Sequence, residues 1–139
     1  MTLKEIKTMI EGIAEQQPNI NTVVKSGDIY DLNTDGTIKY SAFCLTQQIH
    51  TEVDGFRTYN FYMFYVDRLL SDGRNKIAVQ SAAIETLSNI INTLKQTFEI
   101  EVGENINYQV FTQRFASECA GAYTSVSITV PISNCANNY

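Results

Sequence analysis

The chain has 139 residues, a length that predicts one domain with its own core. Fifteen acidic against ten basic side chains give a net charge of −5, and the basic residues are scattered. Sequence-reading nucleic-acid binding needs clustered Lys and Arg, so the composition argues against it. No stretch approaches the roughly 20 apolar residues of a membrane helix, and no apolar leader run opens the chain. We therefore expect a protein that is made in the cytoplasm and enters no membrane.

The first predicted element is an N-terminal helix. Thr2 followed by Glu5 is a capping-box pattern, in which each side chain bonds the backbone N–H of the other residue. Apolar residues then recur at steps of three and four and form one stripe: Leu3, Ile6, Ile10, Ile13 and Ala14. Pro18 ends the helix, because the residue before a proline avoids helical backbone. A short extended piece over residues 22–25 follows.

Residues 26–36 are polar and predict turns. Within them, residues 31–36 have the sequence Asp-Leu-Asn-Thr-Asp-Gly, which matches the first half of a calcium loop. The twelfth position of such a loop supplies a bidentate carboxylate, and here that position is Ala42. Asp, Asn and Gly also suit a turn for backbone reasons. We therefore predict a structural turn and no metal site.

The centre of the chain predicts two neighbouring strands of a sheet. Residues 37–46 form the first, with one face made by Ile38, Tyr40, Ala42 and Cys44 and the other by Phe43 and Leu45. Residues 56–70 form the second, which is apolar on both faces: Tyr59, Phe61, Met63 and Tyr65 on one, Tyr62, Phe64 and Val66 on the other. A strand of this kind predicts a central position with packing on both sides. The short connection, residues 47–55, makes the two strands antiparallel.

A long helix and two further strands complete the predicted order. The helix spans residues 76–97, with a stripe made by Ile77, Ser81, Ile84, Leu87, Ile91, Leu94 and Phe98, and an outer side made by Gln80, Glu85, Asn89, Asn92 and Gln96. Alternating residues predict strands at 106–113 and 126–132, with a small-residue turn at 119–123 between them. Residues 134–139 predict a loose tail. The order helix-strand-strand-strand-helix-strand-strand predicts a single α+β domain, residues 1–139, with a mainly antiparallel sheet packed by helices.

The residues that could take part in catalysis or metal binding form no catalytic, cofactor or metal-binding pattern. His50 has no partner at a defined spacing, so we predict a solvated loop histidine. Cys44, Cys119 and Cys135 are odd in number and lack a CxxC spacing, which favours reduced thiols over a disulfide framework; a pairing of Cys119 with Cys135 stays open.

A group of aromatic and charged residues near the end of the chain predicts a candidate subunit interface: Phe111, Arg114, Phe115, Glu118 and Tyr123. Protein interfaces are enriched in aromatic residues and Arg. A strand end followed by a loop explains the same residues equally well.

Most of the chain, residues 1–132, resembles small structural proteins of tailed bacteriophages of Bacteroidetes hosts, including crAss-like phages. The element order also resembles that of tail-terminator and tail-completion proteins. The resemblance rests on these residues: Tyr59-Asn60-Phe61-Tyr62, Val66-Asp67-Arg68-Leu69, Asn75, Gln80-Ser81, Phe111, Arg114-Phe115, Glu118 and Cys119-Ala120-Gly121-Ala122-Tyr123.

The resemblance implies a non-enzymatic virion protein that forms a ring of six or twelve copies at the head–tail neck or upper tail, without cofactors. Neighbouring neck or tail proteins would be its partners, and DNA would pass through the lumen without being gripped. Two alternatives stay open. One is a bacterial cytoplasmic α+β domain that binds a ligand or partner, and the other is a small metal-dependent hydrolase using Asp28, Asp31 and Asp35.

Overall fold

A computed structural model describes residues 1–25, 28, 38–97, 99–114 and 118–132, without the side chains of Gln113 and Arg114. The described part holds two helices and a mixed sheet of seven strands, which confirms the predicted α+β class. In chain order the elements are α1 Leu3–Glu15, β1 Thr22–Val24, β2 Ala42–Gln47, β3 Thr51–Val53, β4 Phe56–Arg68, α2 Lys76–Lys95, β5 Glu101–Val102, β6 Tyr108–Arg114 and β7 Glu118–Pro131. The calcium-like residues 31–36, Phe98, Phe115, Cys135 and the tail 134–139 lie outside the described residues.

Helix α1 begins and packs as the sequence predicts. The Thr2 backbone N–H donates to the Glu5 carboxylate at 2.8 Å, and the Glu5 N–H donates to the Thr2 hydroxyl at 3.2 Å, which completes the capping box. Ile6, Ile10 and Ala14 are fully buried against the sheet. The periodic stripe therefore identifies the face that α1 presents to the core.

Strands β4 and β7 form the centre of the sheet. They run antiparallel over the whole of β4, from the pair Phe56–Pro131 to the pair Arg68–Cys119. The strand order is β1-β2-β4-β7-β5, while β3 pairs with β4 and β6 pairs with β7. Strands β1 and β2 run parallel, in contrast to the antiparallel pairs around them. The two longest strands thus give the domain one continuous platform.

Both helices pack on the same face of this platform. The main core joins α1 and α2 to one set of strand side chains, which includes Phe43, Phe61 and Val126. A smaller cluster on the opposite face contains Val24, Ala42, Cys44, Val66 and Cys119. The predicted alternation is confirmed within β2 and β4, because the two sets of residues lie on these two faces. The predicted start of the first strand is wrong, since β2 begins at Ala42 and not at residue 37. The predicted central position of β4 is confirmed. Packing on its second face is less complete than predicted, since Val66 is fully buried there but Phe64 is only half-buried.

The connection between β2 and β4 is more ordered than the sequence indicates. Thr51–Val53 form β3, and Asp54 and Gly55 turn the chain with φ values of 51° and 82°. His50 lies in the loop, as predicted, but it is half-buried and packs there, so it is not simply a solvated side chain. The Asn60 N–H donates to His50 Nδ1 at 3.1 Å, and the ring lies 5.4 Å from that of Tyr59. His50 Nε2 therefore carries the proton and donates to the Gln47 amide oxygen.

Helix α2 is rotated relative to the predicted face in its first half. Ile77 is 72% exposed and Gln80 is 9% exposed, the reverse of the predicted placement. The Gln80 side-chain amide donates to the Phe111 carbonyl at 3.1 Å, so its burial leaves a hydrogen bond in place. Leu87, Ile91 and Leu94 are buried as predicted. The second half of the predicted stripe therefore identifies the buried side of α2 correctly, whereas Ile77 near the helix start does not.

The predicted turn at residues 119–123 is also wrong, because strand β7 already begins at Glu118. Cys119, Ala120 and Ala122 are fully buried in this strand. The small side chains fit a strand between two close neighbours, since residues 119–123 pair with β4 on one side and β6 on the other. Strand β5, only Glu101–Val102, is too short to give an alternation in the sequence.

Candidate subunit interface

The sheet face opposite the helices combines apolar, aromatic and polar side chains, and we call it the open face. Its register follows from the strand pairs, because directly opposed residues point to the same side of a sheet. Tyr62 is opposed by Thr46 and Ser125, and Phe64 by Cys44 and Tyr123. No helix covers this face within the described residues, where α1 and α2 both contact the other side. Near Arg68 this face is covered by the chain itself, because Ile38 and Tyr40 pack against its fully buried residues. Tyr62, Phe64 and Tyr123, farther along the face, are half-buried.

Four aromatic rings form a connected cluster at the centre of the open face. Tyr123 is the hub, with ring centroids 5.1 Å from Phe64, 5.7 Å from Tyr62 and 6.2 Å from Phe111. Phe64 also contacts Phe111, with ring centroids 6.3 Å apart. All four residues are half-buried, so each ring packs against its neighbours and still presents surface to the outside. Tilted and edge-on pairs at these distances stabilise the cluster and fix its shape.

Between Tyr62 and the exposed Phe56 at the start of β4, the open face is polar, and its polar groups bond to each other. The Ser127 hydroxyl donates to the Asn60 amide oxygen at 2.6 Å, and the hydroxyls of Thr58 and Thr129 lie 2.9 Å apart. Paired groups of this kind lose less on burial than unpaired ones, because each keeps a hydrogen bond when water leaves. This part of the face can therefore be covered at a modest desolvation penalty.

The open face is poor in charge. Its described strand positions include two charged residues, Arg68 near one end and Glu101 near the other. The Arg68 guanidinium lies over the Tyr40 ring, 5.2 Å from its centroid. Charge depletion together with aromatic enrichment is the composition of the buried centre of protein interfaces. The arrangement can bind another protein surface.

The predicted interface residues do not all lie together in the structure. It brings Phe111 and Tyr123 together in the aromatic cluster. Arg114 and Glu118 pair across β6 and β7 at the end of the sheet, although the Arg114 side chain lies outside the described part. Phe115 lies there as well. The sequence missed Tyr62 and Phe64 as surface residues, because alternation alone assigned them to a covered face.

A cleft of about 410 Å³ lies at the same end of the sheet as Glu118. Leu69, Asp72, Lys76 and Thr112 line it together with Glu118. Within the described residues, no three His, Cys, Asp or Glu side chains group closely enough to hold a metal ion. The cleft thus offers one ammonium and two carboxylate groups around a small space.

Cys119 and Cys44 lie on the open face, in its covered part, and both are fully buried. Burial raises the pKa of the Cys119 thiol, and a hydrogen bond with the Tyr40 side chain lowers it to a smaller extent. Since the thiolate is the reactive form, a raised pKa slows alkylation.

We predict that the native protein exposes at most one of its three thiols to rapid alkylation at neutral pH. Mass spectrometry after a short treatment should show Cys44 and Cys119 unmodified, and denatured chain should react at all its cysteines. Rapid modification of Cys119 in the native state would contradict its burial.

No protein-family model matches the chain. A search of curated proteins likewise finds no match. Neither described helix has the combination of length and apolar character that a membrane crossing requires.

Proposed function

We propose that the protein is a non-enzymatic structural component of a bacteriophage virion, located at the head–tail neck or upper tail as a ring of six or twelve copies. The observation that carries this proposal is the charge-poor aromatic cluster of the open face. Proteins that assemble need such surfaces, whereas a domain that works alone normally covers them. The resemblance to tail-terminator and tail-completion proteins supports the same role.

The charge of the chain is compatible with a position around DNA. With a net charge of −5, the subunit repels the phosphate backbone and does not grip it. A duplex could then slide through the lumen. Ring closure itself requires head-to-tail contacts between two different surfaces of the subunit. The β6–β7 end of the sheet, with Arg114 and Glu118, is our candidate for one of them.

The proposal predicts that the chain is part of the particle. Quantitative mass spectrometry of purified virions from a culture that produces the protein should detect six or twelve copies per particle. Electron microscopy of the concentrated protein should show closed rings. The protein's presence in the infected cells, together with its absence from purified particles, would overturn the virion role.

A second candidate function, a cytoplasmic ligand-binding domain, rests on the cleft beside Glu118. Lys76 and Asp72 could orient a small polar molecule there. A thermal-shift screen would test it: a ligand that stabilises the wild type and loses its effect on Lys76→Ala would favour this function over assembly.

A further inference from the structure

We propose that strand β6 pairs edge to edge with β6 of a second copy, about a two-fold axis that passes between the two Phe111 residues and joins the two sheets into one. The inference goes beyond the proposed function, because it requires neither the ring nor the virion. Copies related by a two-fold axis point in opposite directions, so the pair is a form of the free protein and not the contact that closes a cyclic ring.

Strand β6 lies at an edge of the sheet. Strand β4 pairs with the whole of β7 on one side, so β5 and β6 share the other side of β7. No described strand pairs with the outer edge of β6. This edge is seven residues long and contains neither Lys nor Pro, the residues that commonly protect an edge. It is therefore a template for pairing with another strand.

The hydrogen-bond pattern identifies the backbone groups that face this edge. The Leu69 N–H donates to the Glu118 carbonyl, so even-numbered residues of β7 bond to β4 and odd-numbered residues bond toward β6. Gln109 and Phe111 stand opposite odd-numbered residues of β7, and their backbone groups therefore bond inward. The residues of β6 whose N–H and C=O groups point outward are Tyr108, Val110 and Thr112.

The sequence of β6 matches itself about Phe111. In an antiparallel pair centred there, Val110 of each copy stands opposite Thr112 of the other, and their outward groups form hydrogen-bonded pairs. The two Phe111 residues form the non-hydrogen-bonded pair between them, where side chains are closest and aromatic pairs are favourable. No like charges are opposed, because Arg114 stands opposite Tyr108 of the other copy.

Helix α2 carries exposed apolar residues at the same level. The Gln80 side chain donates to the Phe111 carbonyl at 3.1 Å, so this turn of α2 lies beside the proposed axis. Ile77 lies three residues before Gln80 and Ile84 four residues after it, so all three are neighbours on the helix surface. Ile77 is 72% exposed and Ile84 is half-buried. Because Gln80 is the buried neighbour that reaches β6, the two isoleucines lie on the side of α2 that extends past the β6 edge.

The same axis pairs the two helices. The midpoint between Ile77 and Ile84 lies at Gln80 and Ser81, level with Phe111. A two-fold axis at this level therefore places Ile77 of each copy opposite Ile84 of the other. Ser81 is small and exposed, and it lies between them, where it lets the helices approach. One axis thus satisfies the strand edge and the exposed isoleucines together, which argues for a second copy over an unrelated strand.

Charge and size predict a weak, reversible pair. Two chains of net charge −5 repel each other, and the described side chains of β6 and of the Ile77–Ile84 side of α2 are uncharged. A seam of seven residues is about 23 Å long, and a sheet layer with a helix layer is about 20 Å deep, which gives about 450 Å² per copy. The total of about 900 Å² lies below the size of standard interfaces.

Hydrogen exchange measured by NMR identifies the edge that pairs. As the protein concentration rises, the outward N–H groups of Val110 and Thr112 should exchange at least about tenfold more slowly, because the second copy accepts their hydrogen bonds. The inward N–H of Phe111 bonds to β7 and should be protected at every concentration, which makes it the internal control. Exchange at Val110 and Thr112 that does not depend on concentration would overturn the pair.

Val110→Pro removes an outward donor and leaves the hydrogen bonds between β6 and β7 in place. Proline is tolerated on an edge strand where its missing N–H would face outward, so the variant should fold. In sedimentation equilibrium it should raise the dissociation constant of the dimer at least about tenfold. Glu52→Pro is the matched control, because Glu52 lies between residues that bond to β4 and faces outward from the edge strand β3. It should dimerise like wild type.

Charges in the helix layer test the position of the axis. Ile77→Lys should raise the dissociation constant at least about tenfold, because it places an unpaired ammonium group against Ile84 of the other copy. Adding Ile84→Glu should restore most of the affinity, since each Lys then faces a Glu across the seam. The two positions are about 10 Å apart along one helix, so recovery reports a contact between copies. This test holds even if Val110→Pro fails to fold.

A wild type that stays monomeric at concentrations up to about 1 mM would overturn the pair. A folded Val110→Pro variant that dimerises like wild type would do the same. A double variant as weak as Ile77→Lys alone would overturn the axis at Phe111. Purified virions test the proposed function separately: a protein that dimerises but is absent from them would contradict the virion role and leave the pair standing.

Discussion

Replacing Phe61 by alanine should lower the free energy of unfolding by about 3–5 kcal/mol. Phe61 is fully buried and lies in the main core, among side chains from the sheet and both helices. Truncation removes most of a large apolar side chain and leaves a cavity that the surrounding strands cannot close. A loss of this size is a large part of the stability of a typical domain. Chemical denaturation, read as the midpoint and slope of a two-state transition, measures it.

Phe64→Ala is the matched control for this prediction. The residue type and the strand are the same, but Phe64 points to the open face and is half-buried. We expect a loss of about 1–2 kcal/mol, since less apolar surface returns to water and solvent can relax around the site. Equal losses at Phe61 and Phe64 would mean that an unseen layer covers the open face in the monomer.

The difference between these two residues shows what alternation in a sequence can establish. The pattern of β4 predicts correctly that both of its faces are apolar and which residues share each face. It does not reveal what covers a face, because a face covered by a helix, by a loop or by a second subunit would carry the same kind of apolar residues. Both helices of the described chain pack beside Phe61, and none beside Phe64. The predicted packing on the second face is therefore incomplete at Phe64.

The candidate interface was only partly accessible from the sequence. Composition drew attention to Phe111 and Tyr123, but their contact depends on the register of β6 against β7, which pairs Phe111 with Gly121. Tyr62 and Phe64 join them through the register of β4 against β7. Pairing of this kind is non-local, and no local pattern encodes it. The short strands β3 and β5 were missed because two or three residues cannot display an alternation.

The first half of α2 illustrates a further limit. Ile77 was placed in the core because it is apolar, and Gln80 outside because it is polar. In the structure Gln80 lies inside, since the Phe111 carbonyl accepts a hydrogen bond from its amide. Periodicity counts residue types and cannot anticipate such a specific partner. Predictions from one turn of a helix are consequently weaker than those from its full length.

Gly121→Ala is the substitution that we expect to affect the sheet most directly. A Cβ atom at this position would overlap the Tyr65 carbonyl oxygen and would lie 2.9 Å from the Tyr65 carbonyl carbon and 3.1 Å from the Val66 Cα. These are backbone atoms of the central strand, so no rotation of a flexible side chain can relieve the overlap. Strands β4 and β7 would have to separate at the pair Val66–Gly121. We expect a loss of at least about 3 kcal/mol, the upper part of the range for overpacked sites.

Gly12→Ala supplies the control for Gly121→Ala, because the chemical change is identical and the surroundings differ. A Cβ atom at Gly12 meets nothing within 4 Å, and the residue lies inside helix α1. Alanine is the better helix former, so this variant should be more stable than wild type by about 0.5–1 kcal/mol. Chemical denaturation of both variants should therefore give shifts of opposite sign. A Gly121→Ala protein as stable as wild type would show that β4 and β7 are not in close contact at this pair. The strand register that brings the aromatic cluster together would then be wrong as well.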